Sequence, residues 1–283
     1  MEPKNAAVSR NLGTTLTLAF VTMSVAALLV SGVVGIIFLI QTQKEAVAGK
    51  QHVVARQAAD AVAGFIQDKF IVMEAAVRLT GSDQERENAL QALLGMEPAF
   101  RQLLLLDTGN NALFRASRMS RTESRRLDEQ LGADPFSRVA DRPRHIGAVY
   151  VDQVTSEPLV VLSVPVTTLL GDRLGVLLAE VNLKFIWELV DRLRVGVTGY
   201  AYVVDRKGHL IAFGETGRVL RGETLDHLSD VAAFIDQPEK KENIDVHTFV
   251  GITGKKVVGT YVPLGDPDWA VMTELPVMEA YRP

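Results

Sequence analysis

The sequence contains no cysteine among its 283 residues. That absence excludes a disulfide framework, a thiolate metal site and a catalytic thiol. Positive charge is not in excess either, because the formal net charge is -4 and the isoelectric point is near 5.8. A strongly basic face is typical of proteins that bind nucleic acid, so we expect no nucleic acid among the partners of this chain.

Catalytic motifs are also missing from the sequence. The five histidines are scattered and lack the His-Glu-x-x-His spacing of a zinc site. Neither a Gly-x-Ser-x-Gly elbow nor a glycine-rich phosphate loop occurs. We therefore predict that the chain is not an enzyme and that it has no cofactor and no metal site.

The strongest positive signal is a long apolar run near the N-terminus. No charged residue occurs from Asn11 to Gln43, and roughly 20 residues are enough for a helix to span a bilayer. Lys4 and Arg10 precede the run and favour a cytoplasmic N-terminus. A cleaved signal peptide is the alternative, because Ala46-Val47-Ala48 resembles a cleavage site. Signal-peptide cores are only about 7 to 15 residues long, so we predict an uncleaved membrane anchor.

Beyond the apolar run, a single long helix is predicted to about residue 80. Apolar residues recur at helical spacing and form two adjacent stripes. The stripes consist of Val54, Ala58, Ala61 and Phe65, and of Val62, Ile66, Phe70, Met73 and Val77. Two stripes are more than a helix needs to pack on one surface, so we expect it to contact its own domain and a second copy of the chain in a homodimer.

The rest of the chain contains an internal repeat. A strand ending in Asp107 is followed by a polar turn and a second strand through Phe114, and the same order recurs around Asp205 and Phe213. Each hairpin leads into a polar, partly helical stretch and then into three further strands. These strands are predicted at 147–152, 159–167 and 173–181, and again at 245–252, 256–263 and 269–275. The pattern predicts two tandem α+β units joined by a helix over 183–193.

Several short motifs in this repeat are similar to those of a known family. They are Val149-Tyr150-Val151-Asp152, Ser163-Val164-Pro165-Val166, and the runs from Gly175 to Leu183, from Gly199 to Asp205 and from Trp269 to Pro276. In this order and spacing they resemble the double Cache sensors of bacterial receptors and sensor kinases. The resemblance implies an α+β fold, in which a transmembrane helix and a long stalk helix carry two tandem PAS-like antiparallel-sheet modules.

The resemblance also implies a domain organisation and a function. We expect a cytoplasmic tail at 1–15, a transmembrane helix at 16–40, a stalk helix at 41–80, a membrane-distal module at 81–182, a connecting helix with a membrane-proximal module at 183–276, and at 277–283 the exit toward a second membrane helix. Family members bind a small ligand in the distal module and relay the signal through the bacterial inner membrane in two-component or chemotaxis signalling. We expect this chain to be such an input module, with the output part in a longer parent chain. A membrane-tethered binding or scaffold protein is the alternative.

Candidate ligand-binding residues follow from the resemblance. Amino-acid-binding members clamp the ligand carboxylate with an Arg-x-Trp-Tyr string, whereas this chain has Gly132 to Phe136 there, which leaves Phe136 as the candidate. Tyr150 is similar to a later tyrosine of the family, and Glu180 falls where its ammonium-binding aspartate lies. The missing clamp disfavours an amino acid, while Glu180 suits an ammonium group. For Glu180, a solvated carboxylate or a structural salt bridge is the alternative, because Glu274 is its twin in the second unit.

Two arginines and a strand pair complete the predicted pocket. Arg115 and Arg118 follow the first hairpin, and a guanidinium suits a carboxylate or phosphate. A solvated basic face is their alternative. Tyr150 and Asp152 point to one side of their strand because side chains alternate. We therefore predict a site made of Arg115, Arg118, Phe136, Tyr150, Asp152 and Glu180 that takes a small carboxylate or amine.

Overall fold

The computed structural model describes residues 12–78, 82–119, 127, 143–152, 154–168, 170–237 and 243–281. The chain forms two compact units, Met1–Val47 and Ala48–Arg282. Helix α1 (Leu12–Arg78) begins in the first unit and continues into the second. Within it, Leu16–Gly35 is long and apolar enough to cross a membrane, judged by length and composition.

In the Ala48–Arg282 unit, α1 buries one of the two predicted stripes almost completely. Val62, Ile66, Phe70, Met73 and Val77 are at most 5% exposed. In the other stripe, Ala58 is buried, but Val54, Ala61 and Phe65 are only half-buried. The helix therefore packs on its own domain chiefly through the second stripe.

The first sheet is antiparallel and contains six strands within the described residues. They are β1 (Phe100–Asp107), β2 (Ala112–Ser117), β3 (His145–Ile146), β4 (Tyr150–Val151), β5 (Pro158–Thr167) and β6 (Arg173–Asn182). Their order is β2-β1-β6-β5-β3, and β4 also pairs with β5. Helix α2 (Asp83–Met96) precedes the sheet and begins at a capping box, in which Ser82 and Glu85 bond each other's backbone N–H groups. We call α2 and this sheet the first module.

One predicted strand of the first module was wrong. The prediction of a single strand over 147–152 is replaced by β3, which ends at Ile146, and by β4, which covers only Tyr150–Val151. Between them, the Gly147 N–H still donates to the Val161 carbonyl at 2.8 Å. The chain therefore follows the edge of β5 at isolated points rather than as a regular ladder.

The second sheet repeats the strand order of the first. Its strands are β7 (Tyr200–Asp205), β8 (Leu210–Phe213), β9 (Asn243–Val250), β10 (Lys256–Pro263) and β11 (Trp269–Pro276), and its helices are α4 (Thr216–Leu220), α5 (Ser229–Asp236) and α6 (Val277–Ala280). The order is β8-β7-β11-β10-β9. Helix α3 (Lys184–Arg192) lies between the two sheets in the chain. We call β7–β11 with α4, α5 and α6 the second module.

Helix α1 contacts both modules. The Gln51 side-chain amide donates to the Val258 carbonyl of β10 at 3.2 Å. Farther along, Phe65 stacks on Phe185 of α3 with 4.9 Å between ring centroids. Near its C-terminal end, Glu74 pairs with Arg144, which directly precedes β3, at 2.7 Å. One continuous helix thus contacts the second module, the connecting helix and the first module.

Candidate functional site

A β-bulge places two neighbouring side chains of β1 on the same side of the first sheet. Phe100 pairs with Val181 and Gln102 with Glu180, so Arg101 is the extra residue. In a regular strand, Arg101 and Gln102 would point to opposite faces. At the bulge both reach Glu180, because the Gln102 amide donates to Glu180 Oε2 at 3.0 Å and Arg101 Nε lies 3.7 Å from the same oxygen.

Glu180 is the centre of a buried polar cluster. Its carboxylate is only 3% exposed. Oε1 accepts a hydrogen bond from the Tyr150 hydroxyl, in addition to the Gln102 contact at Oε2. Burial, and then the nearby Glu180 charge, raise the pKa of Tyr150 above its ordinary value. Tyr150 therefore stays a neutral donor to the carboxylate at any physiological pH.

Asp152 forms the other acidic part of this cluster. It is 5% exposed and pairs with the Arg101 guanidinium. Burial would raise the pKa of Asp152, but the Val154 N–H at 2.7 Å and the Arg101 charge outweigh burial and hold the pKa below its ordinary value. Arg101 also lies 3.5 Å from Glu157 Oε2. Asp152 is therefore an ionised partner that fixes the position of Arg101.

The cluster carries an excess of negative charge. Its described side chains contribute three carboxylates, those of Asp152, Glu157 and Glu180, against the single guanidinium of Arg101. Gln102 adds a buried acceptor, because its Oε1 has no hydrogen-bond partner among the described residues. Buried polar atoms normally have a partner. The arrangement therefore suits a bound group that is positively charged and donates hydrogen bonds.

An apolar patch adjoins the cluster on the same face of the sheet. Leu178 lies two residues before Glu180 on β6, and Leu104 lies two residues after Gln102 on β1. Side chains two residues apart on a strand share a face. The patch consists of Leu104, Leu106, Leu127, Val161, Val176 and Leu178, with Tyr150 packed against it. The face thus combines an anionic end with an aliphatic surface.

The structure brings three of the six predicted site residues together and separates two others. Tyr150, Asp152 and Glu180 meet in the cluster, whereas the predicted alternative of a solvated Glu180 was wrong because the carboxylate is buried. Arg118 donates from Nε to the Phe100 carbonyl at 3.0 Å and from Nη2 to the Leu94 carbonyl.

The remaining candidates lie elsewhere. Arg115 is an exposed residue of β2, which lies at an edge of the sheet. Phe136 lies outside the described residues. Sequence reasoning missed Arg101 and Gln102 in the site, because the bulge that turns both toward Glu180 leaves no signal in the residue pattern.

A cleft between the two modules adjoins the cluster. It has a volume of about 630 Å³ and is lined by Tyr150 and Asp152 from the first module and by Lys207, Leu210 and Arg221 from the second. The strand that carries Tyr150 thus borders both the polar cluster and the module boundary.

Comparison with known proteins gives one family match. The sequence profile of the Cache domain (dCache_1) matches residues 39–283. No curated protein matches the sequence. Among solved structures, the ligand-binding domain of the Pseudomonas aeruginosa PAO1 amino acid chemoreceptor PctC in complex with GABA is 18% identical, with a TM-score of 0.57, and the match covers 78% of this chain and 96% of that one.

Two further structures show the same fold. The ligand-binding domain of the Pseudomonas fluorescens chemoreceptor CtaA in complex with L-leucine is 15% identical, with a TM-score of 0.60 and coverage of 84% of this chain and 98% of that one. The ligand-binding domain of the Campylobacter jejuni chemoreceptor Tlp3 in complex with L-norvaline is 13% identical, with a TM-score of 0.63 and coverage of 86% and 95%. The predicted double Cache fold is thereby confirmed.

Proposed function

The chain belongs to the Cache-domain family, and we propose that it is the sensory input module of a membrane-anchored signal transducer. Its ligand is a small organic molecule with a protonated amino group, bound in the first module, which is the membrane-distal module predicted from the sequence. The observation that carries the proposal is the cluster around the buried Glu180, whose described side chains include more carboxylates than cations.

Charge balance favours an ammonium group as the ligand's anchor. A buried carboxylate is costly to ionise unless a cation or several hydrogen bonds stabilise it. Arg101 is shared among Asp152, Glu157 and Glu180, and its contact with Glu180 is the longest of the three. An ammonium group between Glu180 and the Gln102 Oε1 atom would neutralise the first and give the second its missing donor.

The chemistry of the relatives' ligands supports this assignment. GABA, L-leucine and L-norvaline, present in the PctC, CtaA and Tlp3 structures, each carry an amino group. They also carry a carboxylate, for which this sequence lacks the Arg-x-Trp string of the amino-acid-binding branch. We therefore assign the amino group as the required feature of the ligand and leave the carboxylate as an optional one.

The membrane anchor and the route of the signal are parts of the same proposal. Leu16–Gly35 spans the inner membrane and leaves the Cache domain outside the cytoplasm. The ion pair between Glu74 and Arg144 ties α1 to the segment that leads into β3 and β4. Ligand binding at Tyr150 and Asp152 would shift this segment and, through Arg144, bias α1 between two positions. A homodimer that would respond to this shift of α1 stays a prediction.

Thermal unfolding of the full chain in detergent tests the proposed ligand class. The panel contains GABA, neutral amino acids, simple alkylamines and organic acids without an amine. A ligand at about 100 times its Kd adds about 2.7 kcal/mol to stability. We expect amine-bearing compounds to raise the unfolding temperature of the wild type but not of Glu180→Gln. Stabilisation by acids alone, or equal stabilisation of both proteins, would contradict the proposal.

The matched control for this panel is Glu188→Gln. Glu188 lies on α3, its side chain is 53% exposed, and its partner is Arg192 one turn away. The substitution removes the same charge as Glu180→Gln but outside the cluster. Its unfolding temperature should rise with amines as the wild type's does. A panel without any stabilising compound would favour the alternative of a scaffold that acts through a partner protein.

A further inference from the structure

The second module contains two acidic side chains that are buried in its core. Glu274 is 0% exposed and Asp230 is 1% exposed. Each lies against a glycine of the β9–β10 hairpin. A Cβ atom at Gly251 would lie 2.0 Å from Glu274 Oε2, and one at Gly259 would lie 2.6 Å from Asp230 Oδ2. Both acids therefore occupy space that only a glycine leaves open.

Glu274 accepts hydrogen bonds from two directions. The Tyr202 hydroxyl of β7 donates to Oε1 at 2.7 Å. The Ile252 N–H, in the β9–β10 turn, is shared between Oε1 at 3.1 Å and Oε2 at 3.0 Å. Two donors, the number found among the described residues, are few for a carboxylate with about four acceptor positions. Apolar and aromatic side chains form much of the surrounding core.

The charged groups around Glu274 do little to favour its ionised form. Asp230, from α5, adds a like charge, and Arg218, from α4, is the nearby cation. Arg218 is already committed, since its Nε donates to Glu223 at 2.6 Å and its Nη1 donates to the Ile252 carbonyl at 2.7 Å. Burial is the main cause that raises the pKa of Glu274 to about 7, with Asp230 adding to it, against the hydrogen bonds from Tyr202 and Ile252.

We propose that Glu274 is a proton-binding site through which the second module responds to the pH of its surroundings. Proton uptake is then a second stimulus, separate from the amine bound by the first module. This inference rests on the function proposed above in one respect only, namely that the sensed pH is that of the compartment outside the inner membrane. The proton itself is the ligand of this site, and Tyr202, Asp230 and Ile252 set how tightly it is held.

The position of Glu274 in the chain gives proton uptake a route to helix α6. Protonation weakens the carboxyl group as an acceptor for the Ile252 N–H, because hydrogen bonds to charged groups are the stronger ones. Two residues farther, β11 ends at Pro276, and α6 follows. Glu279 of α6 accepts the Val197 N–H at 2.6 Å. A proton at Glu274 therefore acts next to α6, the last described helix of the second module.

Infrared absorption of protonated carboxyl groups, recorded on the full chain in detergent between about pH 5 and pH 9, tests the proposal directly. We expect a band that titrates near pH 7 in the wild type and in the Glu188→Gln control but is missing from Glu274→Gln. Tyr202→Phe removes a donor to the ionised form and should move the midpoint to higher pH. Asp230→Asn removes a like charge and should move it to lower pH.

A second readout tests whether the proton is a stimulus. Hydrogen exchange of α6, corrected for the intrinsic effect of pH, should differ across the midpoint in the wild type but not in Glu274→Gln. The proposal is overturned if the band persists in Glu274→Gln or if exchange in α6 ignores the midpoint. Should Glu274→Gln fail to fold, an unchanged midpoint in Tyr202→Phe overturns it equally. None of these measurements needs an amine, so their outcomes do not depend on whether the first module binds one.

Discussion

The two modules share one sheet topology and one acidic position but differ in what surrounds the acid. Glu180 lies in β6 and Glu274 in β11, and each of these strands comes last along the chain within its sheet. Each carboxylate accepts a hydrogen bond from a tyrosine. In the first module, polar side chains contact the acid next to an aliphatic patch, and Arg101 brings a cation into the sheet. In the second module the same face is filled by the module's own apolar and aromatic side chains.

The proposed division of roles between the modules follows from this difference. A polar interior with a surplus of carboxylates leaves free energy to be gained from a cationic ligand. A closely packed aromatic interior contributes its free energy on folding. On the two proposals above, the first module responds to a small molecule and the second to a proton.

Removal of an aromatic ring from the second module should cause the largest loss of stability. Phe234 is 1% exposed and packs edge to face on Tyr261, with 5.9 Å between ring centroids. Phe234→Ala should lower the free energy of unfolding by about 3 to 5 kcal/mol, because the cavity cannot close. Chemical denaturation measures this loss. If the folded variant also lost amine binding, the division of roles between the modules would be wrong.

The two modules should respond to acid in opposite directions. Between about pH 4.5 and pH 7 the unfolded chain ionises Glu274 while the folded chain keeps it protonated, because burial raises its pKa to about 7. The contribution of Glu274 to the free energy of unfolding is therefore fully present at low pH. It falls by roughly 3 kcal/mol as pH rises through this window. Glu274→Gln should flatten this part of the profile of unfolding free energy against pH.

Asp152 provides the opposite dependence in the first module. Its pKa is lowered despite burial by the Val154 N–H and by Arg101, so its stabilisation is present above the ordinary pKa and is lost as pH falls through the folded value. Asp152→Asn should remove acid sensitivity below about pH 4, measured by the same denaturation series. A wild-type profile that rises steadily from acidic to neutral pH would contradict the assignment of Glu274.

Charge removal in the polar cluster should weaken amine binding by about 2 kcal/mol, or roughly 30-fold in Kd. Glu180→Gln keeps the size of the side chain but removes the negative charge that faces the ligand. Calorimetric titration with a stabilising amine measures the loss. Glu188→Gln should bind as the wild type does, and Tyr150→Phe should show a smaller loss than Glu180→Gln.

Loss of the ion pair between α1 and Arg144, which precedes β3, should have the smallest effect on stability, about 1 kcal/mol. Glu74 and Arg144 are each only about one-fifth exposed. Arg144→Ala should bind amines normally but no longer transmit binding to α1. Crosslinking of cysteines introduced along residues 44–56 reports transmission, and the native chain contributes no cysteine of its own. Ligand-dependent crosslinking that survives Arg144→Ala would exclude this route.

The repeated elements were predictable because their signals are local. Both hairpins, with Asp107 and Asp205 at their turns, are present, and strand β10 has the predicted bounds. Helix α2 was not among the predicted elements, although Ser82 and Glu85 have the spacing of a capping box. The irregular edge around Gly147 was not predictable, because short bridges lack an alternating pattern.

The site was predictable only where regular alternation holds. Tyr150 of β4 and Glu180 of β6 come together on one face of the sheet, whereas Asp152 lies just past the end of β4 and joins the cluster through its ion pair with Arg101. Arg101 depends on a bulge, which alternation does not encode. Arg118 has a side chain suited to binding an anion, but it donates its hydrogen bonds to the carbonyls of Phe100 and Leu94 instead. Such tertiary contacts cannot be predicted from the sequence.

The most direct test compares one stabilising amine with the analogue that lacks only the amino group. Both are titrated calorimetrically into the full chain, as wild type and as Glu180→Gln. We expect the amine to bind the wild type, with an affinity that falls roughly 30-fold in Glu180→Gln, and we expect the deaminated analogue to bind neither protein. Equal binding of the two compounds, or an amine affinity that Glu180→Gln leaves unchanged, would contradict an ammonium site at Glu180.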